Sequence, residues 1–113
     1  MQGHYKKPVT ICFISGIWTE SNRVTHYAIH KFLDPGVTAP AKLTLEQVVE
    51  VIEKYKRRIF TWEWSYEAGR FLEGKEVFFK RNERGCYLYT APYEARTKNL
   101  RHLLNLSWYN KTV

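Results

Sequence analysis

One segment of this chain, Leu43 to Arg58, carries the marks of an α-helix, and the runs on either side of it alternate like strands. Thr44 is an N-cap type, and Gln47 three positions later completes a capping box that satisfies two otherwise orphaned backbone donors. Leu43 ahead of the cap and Val48 behind it form a hydrophobic staple. Leu45, Val48, Val49, Ile52 and Tyr55 then recur at helical spacing and make one apolar stripe. Glu50 with Lys54 and Glu53 with Arg57 are favourable i,i+4 pairs. Lys54, Lys56, Arg57 and Arg58 gather where the helix dipole favours cations. The pattern predicts a helix from Leu45 to Arg58. A single helix with one apolar stripe must bury it against a sheet face, which points to an α+β fold.

The strands follow from period-two alternation. Val9–Trp18 is apolar on both faces, with Val9, Ile11, Phe13 and Ile17 opposite Cys12, Ile14 and Trp18, as a central strand requires. Thr19–Asn22 reads as a turn into a second strand, Arg23–Leu33, and the two make an antiparallel hairpin. Asp34–Pro40 reads as a loop. Ile59–Tyr66 is a third strand. Glu67–Lys75, with Gly69 and Gly74, reads as a loop. Glu76–Arg81 and Cys86–Thr90 form a second hairpin around Asn82-Glu83-Arg84-Gly85. Pro92 closes the last strand. Leu100, Leu103 and Leu104 suggest a short helix over Thr97–Leu106, with a loose tail from Ser107 to Val113. The expected architecture is therefore β-β-α-β-β-β with a short C-terminal helix. About five antiparallel strands pack on one main helix.

The 113 residues fit one domain, 1–113, with no repeat or linker. No apolar run approaches the roughly 20 residues that cross a bilayer, and the Val9–Trp18 stretch is too interrupted for a signal peptide. The expected setting is cytoplasmic. Cys12 and Cys86, the two cysteines, read as packed reduced thiols, although a single bridge between them stays open.

No catalytic or metal motif is present. His26 and His30 lie about 13 Å apart along a strand at about 3.3 Å per residue, too far to share one ion. Asp34 is the single aspartate, whereas metal-dependent hydrolases cluster their carboxylates. Glu63 and Glu67 read as solvated carboxylates. A Cys86–His102 pair stays open, because such partners meet in space rather than in sequence. Nothing calls for a metal or a cofactor, and the expectation is a protein that is not an enzyme.

Charge and aromatics remain. Eighteen Lys and Arg against eleven acids leave a net charge of +7, which suits an anionic partner such as nucleic acid and equally suits plain solubility. Lys54, Arg57 and Arg58 sit at the helix end, Lys80, Arg81 and Arg84 at the second hairpin, and Arg96, Lys98 and Arg101 in the C-terminal segment. Phe60, Trp62, Trp64 and Tyr66 fall on one face of the third strand. Tyr87 and Tyr89 stand on the last one. The stripe has two readings. It packs under the helix as core, the role large aromatics usually play in small domains. Otherwise it stacks bases beside a phosphate-binding patch.

The run Val24-Thr25-His26-Tyr27-Ala28-Ile29, the helix capped by Thr44, and Gly85-Cys86-Tyr87-Leu88-Tyr89-Thr90 followed by Lys98-Asn99-Leu100 resemble a bacterial family of domains of unknown function, the one numbered 3892. In that family a strand ending in Tyr-Leu-Arg-Thr precedes an Asp-Asn-Leu motif. This chain has Tyr89 in place of the arginine and Lys98 in place of the aspartate. The resemblance spans residues 9 to 106 and implies a compact α+β fold in a bacterial or phage setting, with no activity to carry over. The functional expectation is a basic, non-enzymatic binding module for nucleic acid or another polyanion. The alternative is a protein–protein module, such as a phage or mobile-element inhibitor.

Overall fold

The computed structural model describes residues 10–33, 36–90 and 95–107. The described residues form eight strands and one α-helix: β1 Ile11–Glu20, β2 Arg23–Leu33, β3 Gly36–Val37, β4 Ala41–Thr44, α1 Leu45–Glu53, β5 Arg58–Ser65, β6 Arg70–Asn82, β7 Gly85–Thr90 and β8 Leu104–Asn105. The path across the sheet is β3-β2-β1-β5-β6-β7, with β4 also on β2 and β8 also on β1.

The expected five-stranded antiparallel sheet is overturned, because β1 pairs in parallel with both β5 and β8. β1 and β2 do form the anticipated antiparallel hairpin. Its tip, Ser21 and Asn22, has positive φ at both positions, the two-residue turn whose twist matches the strands. β4 is antiparallel to β2, so β4, α1 and β5 form a crossover that carries the helix over two intervening strands. Such a crossover makes the β1–β5 pair parallel. The stretch read as a loop from Glu67 is largely strand: Arg70–Glu73 pair with Trp62–Ser65. Gly69 takes the left-handed turn position, whereas Gly74 lies inside β6. β3 falls inside the Asp34–Pro40 stretch expected to be loop, and β4, ahead of the Thr44 cap, is a strand the pattern does not anticipate. The second hairpin has the expected strands, with Asn82 opposite Gly85.

α1 begins as its cap dictates. The Thr44 side chain accepts from the Gln47 amide, and the Gln47 side chain accepts from the Thr44 amide. It ends at Glu53 rather than Arg58. Tyr55 N–H reaches back to the Glu50 carbonyl and Arg57 N–H to the Val51 carbonyl, and Lys56 takes a left-handed φ that reverses the chain into β5. The basic cluster therefore does not ride on the last helical turn.

The core is one layer between α1 and one sheet face. Val48 and Val49 pack there with Tyr27, Ile29, Cys12, Ile14, Ile17, Ile59, Val77 and Leu88. Ile17 joins Cys12 and Ile14, not Phe13 as simple alternation predicts. A bulge between Ile14 and Gly16 inserts one residue and switches the parity of β1.

The leucines expected in a C-terminal helix reach the core another way. Ala95–Leu100 is a 3-10 segment interrupted at Lys98 and Asn99, and β8 then lies alongside β1. Leu100 and Leu103 close the core beside α1. Gly16 permits this approach: a Cβ there would stand 2.8 Å from the Leu106 side chain and 3.0 Å from the Leu104 carbonyl. Pro92 and the tail beyond Ser107 lie outside the described residues.

Candidate nucleic-acid interface

Alternation sends the two side-chain sets of each central strand to opposite faces. On β5, Ile59 and Thr61 are fully buried toward the helix, and Phe60, Trp62 and Trp64 point the other way. On β7, Leu88 and Thr90 are buried, and Tyr87 and Tyr89 face outward, half-buried. The aromatic stripe is thus not the bed of the helix. Among the described residues, no helix or strand layer packs over the aromatic side.

Rings on this open face touch in sequence. Phe13 and Trp62 centroids are 5.6 Å apart, Trp62 and Phe71 5.2 Å, Phe71 and Trp64 5.2 Å, and Trp64 and Tyr66 6.2 Å. His30 stands edge-on to Trp62 at 5.4 Å. A second cluster lies on β6 and β7, where Phe78 meets Tyr89 at 6.0 Å and Tyr87 meets Tyr89 at 6.1 Å. Phe60 lies between the two, with the Arg58 guanidinium 5.1 Å over its ring. Exposure rises toward one end of the band, from half-buried Trp62 to Trp64 at 37% and Tyr66 at 85%.

The basic residues divide into bound and available groups. Arg58 makes a two-pronged salt bridge to Glu76 on the open face, and Arg81 makes one to Glu53 of α1. These arginines hold both carboxyls below the usual glutamate range, chiefly through the hydrogen bonds they donate. Arg101 donates to the carbonyl and side-chain oxygens of Asn22 and ties the C-terminal segment to the β1–β2 turn. Arg57 is half-buried beside the Tyr55 ring and the Cys12 thiol. Lys54 lies over Tyr55 on the helix side. Lys80 stands directly across from Tyr87, Lys98 sits 4.9 Å over the Tyr87 ring, and Arg84 is exposed at the adjoining turn. The nine basic candidates therefore do not form one patch. Lys80, Arg84 and Lys98 gather with Tyr87 and Tyr89, and the side chain of Arg96 lies outside the described residues.

Sequence reasoning missed Phe13, Phe71, Phe78 and His30 as members of this surface. Alternation opposite Cys12 and Ile14 marks Phe13, and the Phe78–Tyr89 register follows from the second hairpin. Phe71 was hidden by the two glycines that made its segment look like a loop. The place of His30 depends on a contact between strands. Its ring nitrogens lie 2.7 Å from the Ser15 hydroxyl and 2.9 Å from the Thr38 carbonyl oxygen, which fixes it as a hydrogen-bonded support of Trp62.

The other reactive groups stay apart. Cys86 lines a groove beside α1 with Leu45 and Val49, and His102 lines a different cavity with Glu63. Burial pushes the Cys12 and Cys86 thiols above their ordinary value, which keeps them protonated and weakly nucleophilic. Among the described residues, no three His, Cys, Asp or Glu side chains converge as a metal site. No described helix is long and apolar enough to cross a membrane.

No protein-family model, curated protein or solved structure matches this chain.

Proposed function

We propose that the open sheet face binds single-stranded nucleic acid without catalysing a reaction on it. The observation that carries this reading is the continuous run of rings from Phe13 through Trp62, Phe71 and Trp64 to Tyr66, with a second ring cluster at Tyr87 and Tyr89 on the same face and Lys80, Arg84 and Lys98 beside it. Exposed aromatic faces on a sheet stack unpaired bases, which every base permits because each has a π-face. A duplex hides those faces, so the surface favours single strands. The backbone charge has a preferred track as well. Glu73, opposite Trp62, and the neutralised Arg58–Glu76 pair repel or ignore phosphate. Lys80, Arg84 and Lys98 attract it.

Tryptophan emission recorded during titration with single- and double-stranded oligonucleotides of one sequence, at several salt concentrations, tests the reading. Single strands should quench the emission and bind more tightly than the duplex. Their affinity should fall as salt rises, with a slope of about −0.7 per phosphate contact. Trp62→Ala should cost about 1–3 kcal/mol of binding, the value of one stacked base. Lys80→Ala combined with Lys98→Ala should flatten the salt slope. No binding at low salt would end this reading.

A second reading rests on the β2–β3 tip, where Phe32, Leu33 and Val37 are exposed. Apolar side chains grouped at an exposed tip suit a protein partner. Partners captured from nuclease-treated lysate and lost on Leu33→Asp substitution would favour it.

A further inference from the structure

The cavity that opens where β5 parts from β1 has chemistry that general stacking does not use. Among the described residues, β1 pairs with β5 through Ile11–Ile14, and from Gly16 its partner on that side is β8. Between the diverging β5 and β8 lies a cavity of about 550 Å3, within the range of small-ligand sites. Trp64, Tyr66, Leu103 and Leu104 line it together with Glu63 and His102.

Its polar side is built rather than incidental. Glu63 Oε2 accepts the Thr61 hydroxyl at 2.8 Å and lies 3.5 Å from His102 Nε2. The Thr61 oxygen in turn accepts the Lys75 amide at 3.0 Å. Gly74 leaves the room these groups need, since a Cβ there would stand 2.6 Å from Glu63 Oε2 and closer still to Thr61 Oγ1. Asn105 also borders the cavity, where its side chain donates to the Thr19 hydroxyl and accepts from the Ser107 amide. The carboxylate has about four acceptor positions, so the Thr61 and His102 contacts leave capacity for a ligand.

A flat ring that offers two adjacent N–H donors to the carboxylate satisfies this arrangement. Among the nucleobases, guanine places its ring N–H and exocyclic amine side by side. Adenine and cytosine set an acceptor next to their amine, and uracil flanks its one N–H with two carbonyls that a carboxylate repels. We propose that this cavity receives one guanine base, with its ring N–H and amine donating to Glu63. The inference rests on the single-strand reading and adds to it a base preference at one position.

Binding of an oligouridylate is compared with that of the same oligomer carrying one central guanine. The four nucleoside monophosphates are titrated in parallel, all followed by tryptophan emission. The guanine oligomer should bind about 5- to 150-fold tighter, the discrimination of one good two-pronged base contact. Glu63→Gln, which keeps size and can still accept from Thr61, should erase that preference while oligouridylate binding stays unchanged. Equal affinity for both oligomers, or a guanine preference that survives Glu63→Gln in a protein with wild-type circular dichroism, overturns the inference and leaves strand binding standing. Selective binding of guanosine monophosphate without binding of any oligomer would keep the cavity's preference and reject the strand reading.

Discussion

The two faces of this sheet are made by the same strands and differ in nearly every physical respect. Toward α1, the side chains are mostly aliphatic, fully buried and closed over by the helix, Leu100 and Leu103. On the opposite side they are aromatic, half-exposed and interleaved with charge. A sheet with one solvated face ordinarily turns polar residues outward. Here β5 turns out Phe60, Trp62 and Trp64, and β7 turns out Tyr87 and Tyr89. The helix side needs rings least, because shape-fitting aliphatics already fill it. Grouped exposed apolar surface of this kind is what interaction sites commonly present.

Truncation on the helix side should have the largest effect. Ile59→Ala removes a fully buried side chain and should cost about 2–5 kcal/mol in urea denaturation while leaving oligonucleotide affinity per folded molecule intact. Trp62→Ala should show the reverse balance, losing binding before stability. If Ile59→Ala and Trp62→Ala cost equal stability and equal affinity, the contrast between the faces fails.

The seam where β1 exchanges β5 for β8 comes next. Gly16→Val drives a side chain into Leu106 and the Leu104 carbonyl, and overpacking of this kind costs about 1–3 kcal/mol. Because β8 borders the Glu63 cavity, guanine preference should weaken along with the melting temperature. A variant as stable as wild type would mean that β8 is not held against Gly16.

The smallest effect belongs to the Arg58–Glu76 fork on the open face. Glu76 has a lowered pKa in the folded state, so its contribution is present above the ordinary glutamate range and is lost as pH falls through the lowered value. Wild-type stability should therefore decline slightly faster than that of Glu76→Gln on acidification. The difference should shrink with added salt, as exposed pairs do. Parallel pH curves for the two proteins would show that the fork adds nothing.

Much of the site was legible before any fold was known, though its context was not. Alternation placed Phe60, Trp62, Trp64 and Tyr66 on one face and Tyr87 with Tyr89 on another stretch of strand. It could not say that both lie on the side away from the helix. The charge total was correct as a total and misleading as a map, because Arg58, Arg81 and Arg101 are spent on Glu76, Glu53 and Asn22. Glu63 read as a solvated carboxylate because its partners, Thr61 apart, are distant in sequence or arrive through the backbone of Lys75 and the bareness of Gly74.

What the residues determined by themselves was local. The Thr44–Gln47 capping box started α1, the Ser21-Asn22 turn closed the first hairpin, and period two separated aliphatic from aromatic along β5 and β7. These features depend on atoms a few positions apart, so short-range propensity and hydrogen bonding suffice. Only tertiary structure decided the parallel β1–β5 pairing, the parity switch at the β1 bulge, the early end of α1 at Glu53 and the conversion of a leucine stripe into β8. Each depends on which of several distant apolar surfaces buries the most area once the chain has closed on itself. Spacing along the sequence carries no record of that competition.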